Sequence, residues 1–350
     1  MTQLDQEQRD FILESAIQAP SADNHHRIRF RVEGATILVS STEEIRPAGG
    51  YKRVLALLSL GAVVENLTLA ATRFGFGADI QICIDPDNHG LRVVITLMPG
   101  QAGENPLWRY IAQRHTNRSL KFHGPILGDG EKQTLATEIQ VFSSIRLLWL
   151  ENAADRAQAL KLMRSAETER FHDQNLHAEL FSAIQFAVGW RNICPEGLPP
   201  GALGIEPPMR PFFALLRHWS VMRLANRFGI HHLLGWRACD LPCRLAPNLG
   251  LLTVPATDNR SILMAGQALQ RLWLGLTRQN RVLQPMPASA LYALQGAKSE
   301  GIRSALQQHL QEGWQVLTPN SIPIMLFRVG YAQPAKIASG RLPVSHYLEK

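Results

Sequence analysis

Acids, cysteines and charge in general are scarce in this chain. Its 350 residues carry 29 Asp and Glu against 36 Lys and Arg, and only 19% are charged. The net charge is +7 and the isoelectric point about 9.5, which favours anionic ligands such as phosphates over cationic ones. The basic excess is spread along the chain apart from one segment, and no RNP, zinc-finger or basic-zipper pattern accompanies it, so nucleic acid is not an expected partner. Four cysteines (Cys83, Cys194, Cys239, Cys243) make no disulfide framework, and a reducing cytosol is the expected compartment. Asp5, Glu7 and Asp10 stand where a signal peptide would be basic and then apolar. The longest uncharged runs, 54–64 and 245–257, fall short of the ~20 residues of a membrane span, so stable insertion is not expected. Gly75 and Gly77 lack the third glycine and the preceding strand of a dinucleotide fingerprint. Walker A and Gly-x-Ser-x-Gly sequences are missing too, which removes P-loop and serine-elbow chemistry.

Periodicity supplies the elements that are there. Phe11, Ile12, Ala16 and Ile17 form a helical stripe over 6–18, stopped by Ala19-Pro20. The segment 27–32 alternates strictly, which predicts a strand with Arg27, Arg29 and Arg31 on a solvated face; 35–40 is a second strand after Glu33-Gly34. A long apolar helix over 55–74, opening near Ser59-Gly61 and closed by Gly75-Phe76-Gly77, precedes buried strands at 80–84 and 91–97 joined by a turn at 85–90. Residues 99–105 read as a linker dividing a first half, 1–105, from a second, 106–350. Helices at 131–140, 153–170, 261–277 and 295–313 and strands at 146–151 and 322–330 are predicted in the second half.

Residues 171–250 differ in character and read as an inserted helical lid, rich in Pro and Gly turns. From Pro207 to Cys239 there is no acid, while five arginines (210, 217, 223, 227, 237) alternate with Phe212, Phe213, Trp219, Phe228 and Trp236. The lid would pack its aromatics inward and show arginines to water or a bound anion; a membrane-surface helix is the competing reading. His231, His232, Cys239 and Cys243 suggest zinc, but adjacent helical histidines point apart and a second cysteine pair is missing, so no metal is assigned.

Two short stretches carry the chemistry. Arg114-His115-Thr116-Asn117-Arg118-Ser119, if extended, puts Arg114, Thr116 and Arg118 on one face, and two guanidinium forks around a hydroxyl suit a dianion. Ala19-Pro20-Ser21-Ala22-Asp23-Asn24 ends the first helix in a turn whose amides and short side chains are free to meet a ligand, with His25-His26 beside it. The two long helices also align: placing Gly61 on Gly266 matches Leu67 with Leu272, Leu69 with Leu274, Thr72 with Thr277 and Arg73 with Arg278.

The arginine stretch resembles the Arg-Arg/His-Ser-x-Arg/Lys signature of the FMN-dependent nitroreductase family, with Thr for Ser. The segment 19–24 resembles that family's Ala-Pro-Ser-x-x-Asn motif, although ordinary members carry the two in the opposite order. Family members are two-fold dimers with FMN at the interface, so the inversion implies a fused pseudo-dimer, similar to the Acg-like branch. One complete site would remain, formed by the second half's arginines and the first half's Ser21 and Asn24. The resemblance implies a nitroreductase-like α+β fold of two half-copies with a helical lid insertion. It implies FMN as cofactor, with NAD(P)H-dependent reduction of nitroaromatic or quinone-type acceptors. Arg114 and Thr116 would hold the phosphate, His115 would lie along the ribityl chain and Arg118 at the pyrimidine edge. Pro20, Ser21 and Asn24 would face the flavin from the other half. Arg341 would reach the phosphate, without the family's basic residue at Ser339, and Pro287 and Ala288 would lie on the N5 side. No side-chain proton donor is required. The assembly expected is a monomeric pseudo-dimer able to self-associate. The alternative is a flavin-sequestering or regulatory flavoprotein whose lid occludes the site.

Overall fold

The computed structural model describes residues 3–42, 50–84, 91–101 and 103–349. It contains two four-stranded antiparallel sheets. The first comprises β1 (Ile28–Glu33), β2 (Thr36–Ser41), β3 (Phe76–Ile84) and β4 (Leu91–Pro99); the second comprises β5 (Arg146–Trp149), β6 (Asn248–Val254), β7 (Val282–Pro285) and β8 (Ile322–Gly330). The helices are α1 (Gln6–Ile17), α2 (Tyr51–Thr72), α3 (Asp129–Ile139), α4 (Ala153–His172), α5 (Gln174–Ser182), α6 (Arg210–Leu216), α7 (Trp219–Asn226), α8 (Ile230–Gly235), α9 (Leu241–Arg244), α10 (Asn259–Arg278), α11 (Ala288–Tyr292) and α12 (Ser304–Leu317).

The sheets share one strand order. The first runs β1-β2-β4-β3 and the second β5-β6-β8-β7, with a long helix, α2 or α10, between the second and third strands of each. The halves differ in their connections. A tight turn at Gly34 joins β1 to β2, whereas α4 to α9 lie between β5 and β6; α11 and α12 lie between β7 and β8. The stretch 171–250 that composition set apart falls within the connection from β5 to β6, which begins with α4, and reaches the first residues of β6.

The long helices cross at the two glycines that the alignment paired. A methyl on Gly61 would drive into the Leu263 carbonyl, and one on Gly266 into the Leu58 carbonyl. Each carbonyl lies three residues before the opposite glycine, so the contact is two-fold symmetric. Beside it runs a polar seam: Glu65 takes the Arg271 Nε at 2.5 Å, and Gln270 donates to Asn66 Oδ1 at 2.6 Å. The ion pair crosses between the halves, and the hydrophobic core continues from one sheet through both helices into the other. The chain's end returns to the first sheet, where the Phe30 amide donates to the Tyr347 carbonyl at 2.7 Å and Glu349 donates back to Phe30 at 2.8 Å.

Local sequence explains most boundaries. Asp5 and Gln8 form a capping box at α1, and Asp258 caps α10 at 3.0 Å from the Ser261 amide. α2 starts at Tyr51 rather than 55, because the distant Glu300 carboxylate accepts from the Gly50 and Lys52 amides at 3.0 and 3.1 Å. Ser59-Gly61 is mid-helix rather than an opening; the Ser59 hydroxyl bonds the Leu55 carbonyl at 2.8 Å. β4 buries Leu91, Val93, Ile95 and Leu97 in strict alternation, while Arg27 and Arg31 are exposed. β6 is buried at every position, shows no alternation and was not predicted; β7 has only four residues. The helix expected at 295–313 is a 3₁₀ turn followed by α12, which runs on to Leu317 and buries Trp314 in its last turn. The turn expected at 85–90 lies outside the described residues.

Candidate functional site

The first helix ends in bare carbonyls, and two arginines from far along the chain meet them. Helix ends leave their last carbonyls unsatisfied and favour cations. Arg341 donates from Nε to the Ile17 carbonyl at 2.7 Å and from Nη2 to Ala19 at 2.9 Å and Gln18 at 3.5 Å. Its Nη1 serves Asn24 Oδ1 at 2.6 Å and the Gly340 carbonyl at 2.7 Å. Arg114 reaches the same Gln18 carbonyl at 3.1 Å, with its guanidinium 4.6 Å from the Trp273 ring centre on α10. The structure thus brings Arg114, Arg341 and Asn24 together, across the two halves.

These cations lack a counter-charge. Neither Arg114 nor Arg341 has a carboxylate partner among the described residues, and Arg114 Nε is buried without a hydrogen bond. Burial, and then Arg341, lowers the Arg114 pKa to about 9; burial lowers that of Arg341 to about 10. His26, missed as a buried group by the sequence reading, lies beside them. Its pKa falls to about 3 through burial, Arg341, Arg114 and His25, and its Nε2 has no partner. Ser21 Oγ is likewise buried and unpartnered. A cluster of buried donors with unmet positive charge suits an anion with several oxygens. Arg341 has all five donors engaged, so an anion would compete for its longest bond, the 3.5 Å contact to Gln18.

The stretch after Arg114 is tied down along β7. Thr116 bridges Leu283, and the Asn117 amide donates to the Leu283 carbonyl at 3.2 Å. Asn117 is fully buried, donating to the Gln333 carbonyl at 2.8 Å and accepting from the Ser119 amide at 2.9 Å. His115 spends both ring nitrogens on backbone, Nδ1 on Gln113 at 2.8 Å and Nε2 on the Ala335 amide at 3.4 Å, which fixes the Nδ1–H tautomer. Arg328, also missed, is fully buried with its guanidinium 3.9 Å from the Phe122 ring; it bonds the Ser119, Leu120 and Pro242 carbonyls and Gln284. A lone arginine in an apolar strand gave no functional signal, and its role is to hold the end of the motif.

Arg118 lies near Asp23 of the 19–24 turn. Its pKa is lowered by burial and partly restored by Asp23. Asp23, at φ 51° in the left-handed region, also interacts with Arg170 of α4 and Tyr292 of α11. The Tyr292 ring lies 5.1 Å from that of Tyr51, whose hydroxyl bonds Glu179 at 3.0 Å. Pro287 and Ala288 start α11 and pack toward α4 and β8; no described hydrogen bond or ion pair links them to the three arginines. Pro20 is half-buried at the start of the turn.

A loop of the insertion lies over this site. Asn24 donates to the carbonyls of Pro195 and Gly197 at 3.3 and 3.1 Å and accepts from the Gly197 amide on its own carbonyl at 3.3 Å. Arg118 donates to the Ala202 carbonyl at 3.4 Å, and Gly204, at φ 69°, abuts the Arg118 carbonyl so closely that a side chain could not fit. The Gly340 amide closes the arrangement on the Cys194 carbonyl at 2.8 Å. A cavity of about 260 Å³ adjoins the turn, with Ser21 and His26 on one wall, Leu55, Leu60 and Val63 of α2 on another, and the Lys52–Glu179 pair at its edge. Cys239 and Cys243 are buried, their thiol pKa values raised by burial, that of Cys243 to about 12. Among the described residues no group of three or more metal-ligating side chains comes together.

No family model and no curated protein matches this chain. Solved structures similar to it include the FMN-dependent nitroreductase NfnB of Mycobacterium smegmatis in complex with NADPH, at 16% identity and TM-score 0.39 over 69% of this chain and 96% of that one. A nitroreductase with bound FMN from Bacteroides fragilis aligns at 9% identity and TM-score 0.36, covering 65% and 89% of the two chains. Iodotyrosine deiodinase bound to FMN and 3-iodo-L-tyrosine aligns at 13% identity and TM-score 0.36, covering 68% and 94%. Likenesses this distant carry no argument about the chemistry of this chain, which rests on its own geometry.

Proposed function

We propose that this protein is an FMN-binding oxidoreductase of nitroreductase type, a fused pseudo-dimer divided near residue 105, with one flavin site built by both halves. The observation that carries the reading is the pair of buried guanidinium groups, Arg114 and Arg341, meeting at first-half carbonyls without a carboxylate. The FMN phosphate supplies the missing charge. Arg114 and Thr116 hold that phosphate, Arg341 supports it from the tail, and His115 and Asn117 fix the motif rather than the ligand. Arg118 provides a cation at the pyrimidine edge, balanced by Asp23, and Pro20, Ser21 and Asn24 face the ring from the first half. Pro287 and Ala288 take the N5 side. Bound FMN supplies the chemistry: hydride uptake from NAD(P)H and electron delivery to a nitroaromatic or quinone-type acceptor.

One observation favours a second reading, a flavin-sequestering or regulatory protein without turnover. The 194–204 loop is bonded to both motifs, and the adjoining cavity of 260 Å³ is below the ~300 Å³ at which small-molecule pockets begin. The visible spectrum of the purified protein separates the two. Flavin that bleaches quickly and anaerobically with NADPH or NADH supports the oxidoreductase; flavin that yields only to dithionite supports sequestration. A protein that takes up no FMN on incubation overturns both.

A further inference from the structure

The outer surface of α6, α7 and α8 gathers exposed apolar side chains as no other part of the described molecule does. Ten large apolar side chains are exposed among the described residues; six of them, Met209, Phe212, Leu215, Leu224, Phe228 and Leu233, fall between positions 209 and 233. Isolated exposed apolar residues are ordinary, but a cluster marks an interaction surface. These helices already have a core of their own, in which Leu216 and Met222 are covered by Phe213, Trp219, Val221 and Ile230. The exposed set is therefore surplus to folding.

Cations are interleaved with it. Arg217, Arg223 and Arg227 are exposed; Arg217 touches only His218 and the Phe186 ring, and no carboxylate pairs with any of the three among the described residues. No acid occurs from Pro207 to Cys239. The flanking acids are spoken for: Glu206 pairs with Arg237 at 2.5 Å, and Asp240 is buried between Arg164 and Arg244. Arg223 and Leu224 are exposed on α7, and Arg227 and Phe228 are exposed in the turn that ends it, so cations and apolar groups lie side by side in sequence on the solvent-exposed surface. Phe228 is 81% exposed.

We propose that this surface docks on an anionic lipid bilayer. Leu224, Phe228 and their apolar neighbours enter the boundary between headgroups and acyl chains, while the arginines reach the lipid phosphates. The aliphatic members of the set, Leu215, Leu224, Leu233 and Met209, have no stacking role on a nucleic-acid strand, which argues for lipid over that other polyanion. Among the described residues one helix, α2, is long and apolar enough to cross a membrane by composition, and it is mostly buried inside the protein.

Flotation of the full chain with vesicles tests this. It is expected to float with equimolar phosphatidylcholine and phosphatidylglycerol and not with phosphatidylcholine alone, and to be released as salt rises. The double substitution Leu224→Ser with Phe228→Ser abolishes flotation, and Arg223→Glu with Arg227→Glu weakens it at least ~10-fold. Val316→Ser, at an exposed apolar position elsewhere, leaves it unchanged. Failure to bind anionic vesicles at low salt overturns the proposal, as does equal loss with Val316→Ser. A dimer in sedimentation that the Leu224/Phe228 variant dissolves, with no vesicle binding, reassigns the surface to a second copy of the chain. Preferential capture of single-stranded RNA over vesicles reassigns it to nucleic acid.

Discussion

Arg114 does two things that a substitution can separate. It binds the end of α1 through Gln18, and it adds a second buried positive charge beside Arg341. Arg114→Ala loses a hydrogen bond but relieves like-charge repulsion, so the melting temperature of the flavin-free protein should change little. FMN affinity should fall about 10- to 100-fold, the worth of a hydrogen bond to a charged group. Arg217→Ala, at the exposed end of α6, should leave FMN affinity unaltered; titration by flavin fluorescence quenching checks both, and unchanged affinity in Arg114→Ala would sink the site assignment. His26 gives the site a pH signature. Its folded pKa of about 3 lies below the ~6.5 of an unfolded histidine, so the unfolded chain binds the extra proton. Stability from this residue is complete above ~6.5 and drains away as the pH falls toward 3, by up to ~4 kcal/mol. Denaturant unfolding at pH 7 and pH 4 should show that loss in the natural protein and a smaller one in His26→Asn.

On the proposed oxidoreductase reading, the covering loop is the element that would control access to the flavin. Gly204 sits in left-handed backbone against the Arg118 carbonyl, so Gly204→Ala meets both strain and a clash. The loop is held to the site by hydrogen bonds from Asn24 and Arg118, and displacing it would lengthen these first. The expected result is a stability loss of ~1–2 kcal/mol with faster reduction of bound FMN by NADPH in stopped flow. A variant that reduces no faster would show that the loop does not limit access. The sequence made the site's two motifs legible because both are local: a proline-stopped helix followed by Ser21 and Asn24, and two arginines within five residues. His25-His26 was legible as a neighbour of the turn, but the burial of His26 was not, and Arg328 gave no signal, since both depend on elements far along the chain. The same physics separates β4 from β6. β4 has one covered face and therefore alternates, whereas β6 is covered on both faces and leaves no period to read. The covering loop looked like any Pro and Gly turn, because what it bonds to is fixed only by the fold.

At the scale of the molecule the governing feature is the reciprocal crossing of α2 and α10 at Gly61 and Gly266. Each glycine admits the opposite helix's carbonyl, so Gly61→Ala and Gly266→Ala should each cost ~1–3 kcal/mol, and by similar amounts, in equilibrium unfolding. Strongly unequal losses would mean that the crossing is not symmetric in energy. The ligands need not follow that symmetry. The first half supplies the Pro20-Ser21-Asn24 turn without an arginine motif before it, and the second supplies Arg114 to Arg118 without a Pro-Ser-Asn turn after it, only Phe142-Ser143-Ser144-Ile145. In the structure the one arginine motif meets the one turn, and Arg341 joins them from the chain's end. On the proposed pseudo-dimer reading the symmetric counterpart has neither partner, so each chain should bind a single FMN. Isothermal titration with FMN should give one site per chain, and the Arg114→Ala variant should lose that site without revealing a second. Two equivalent sites would mean that the counterpart is built from residues other than these motifs, and that the arginine pair at Gln18 is not what holds the phosphate.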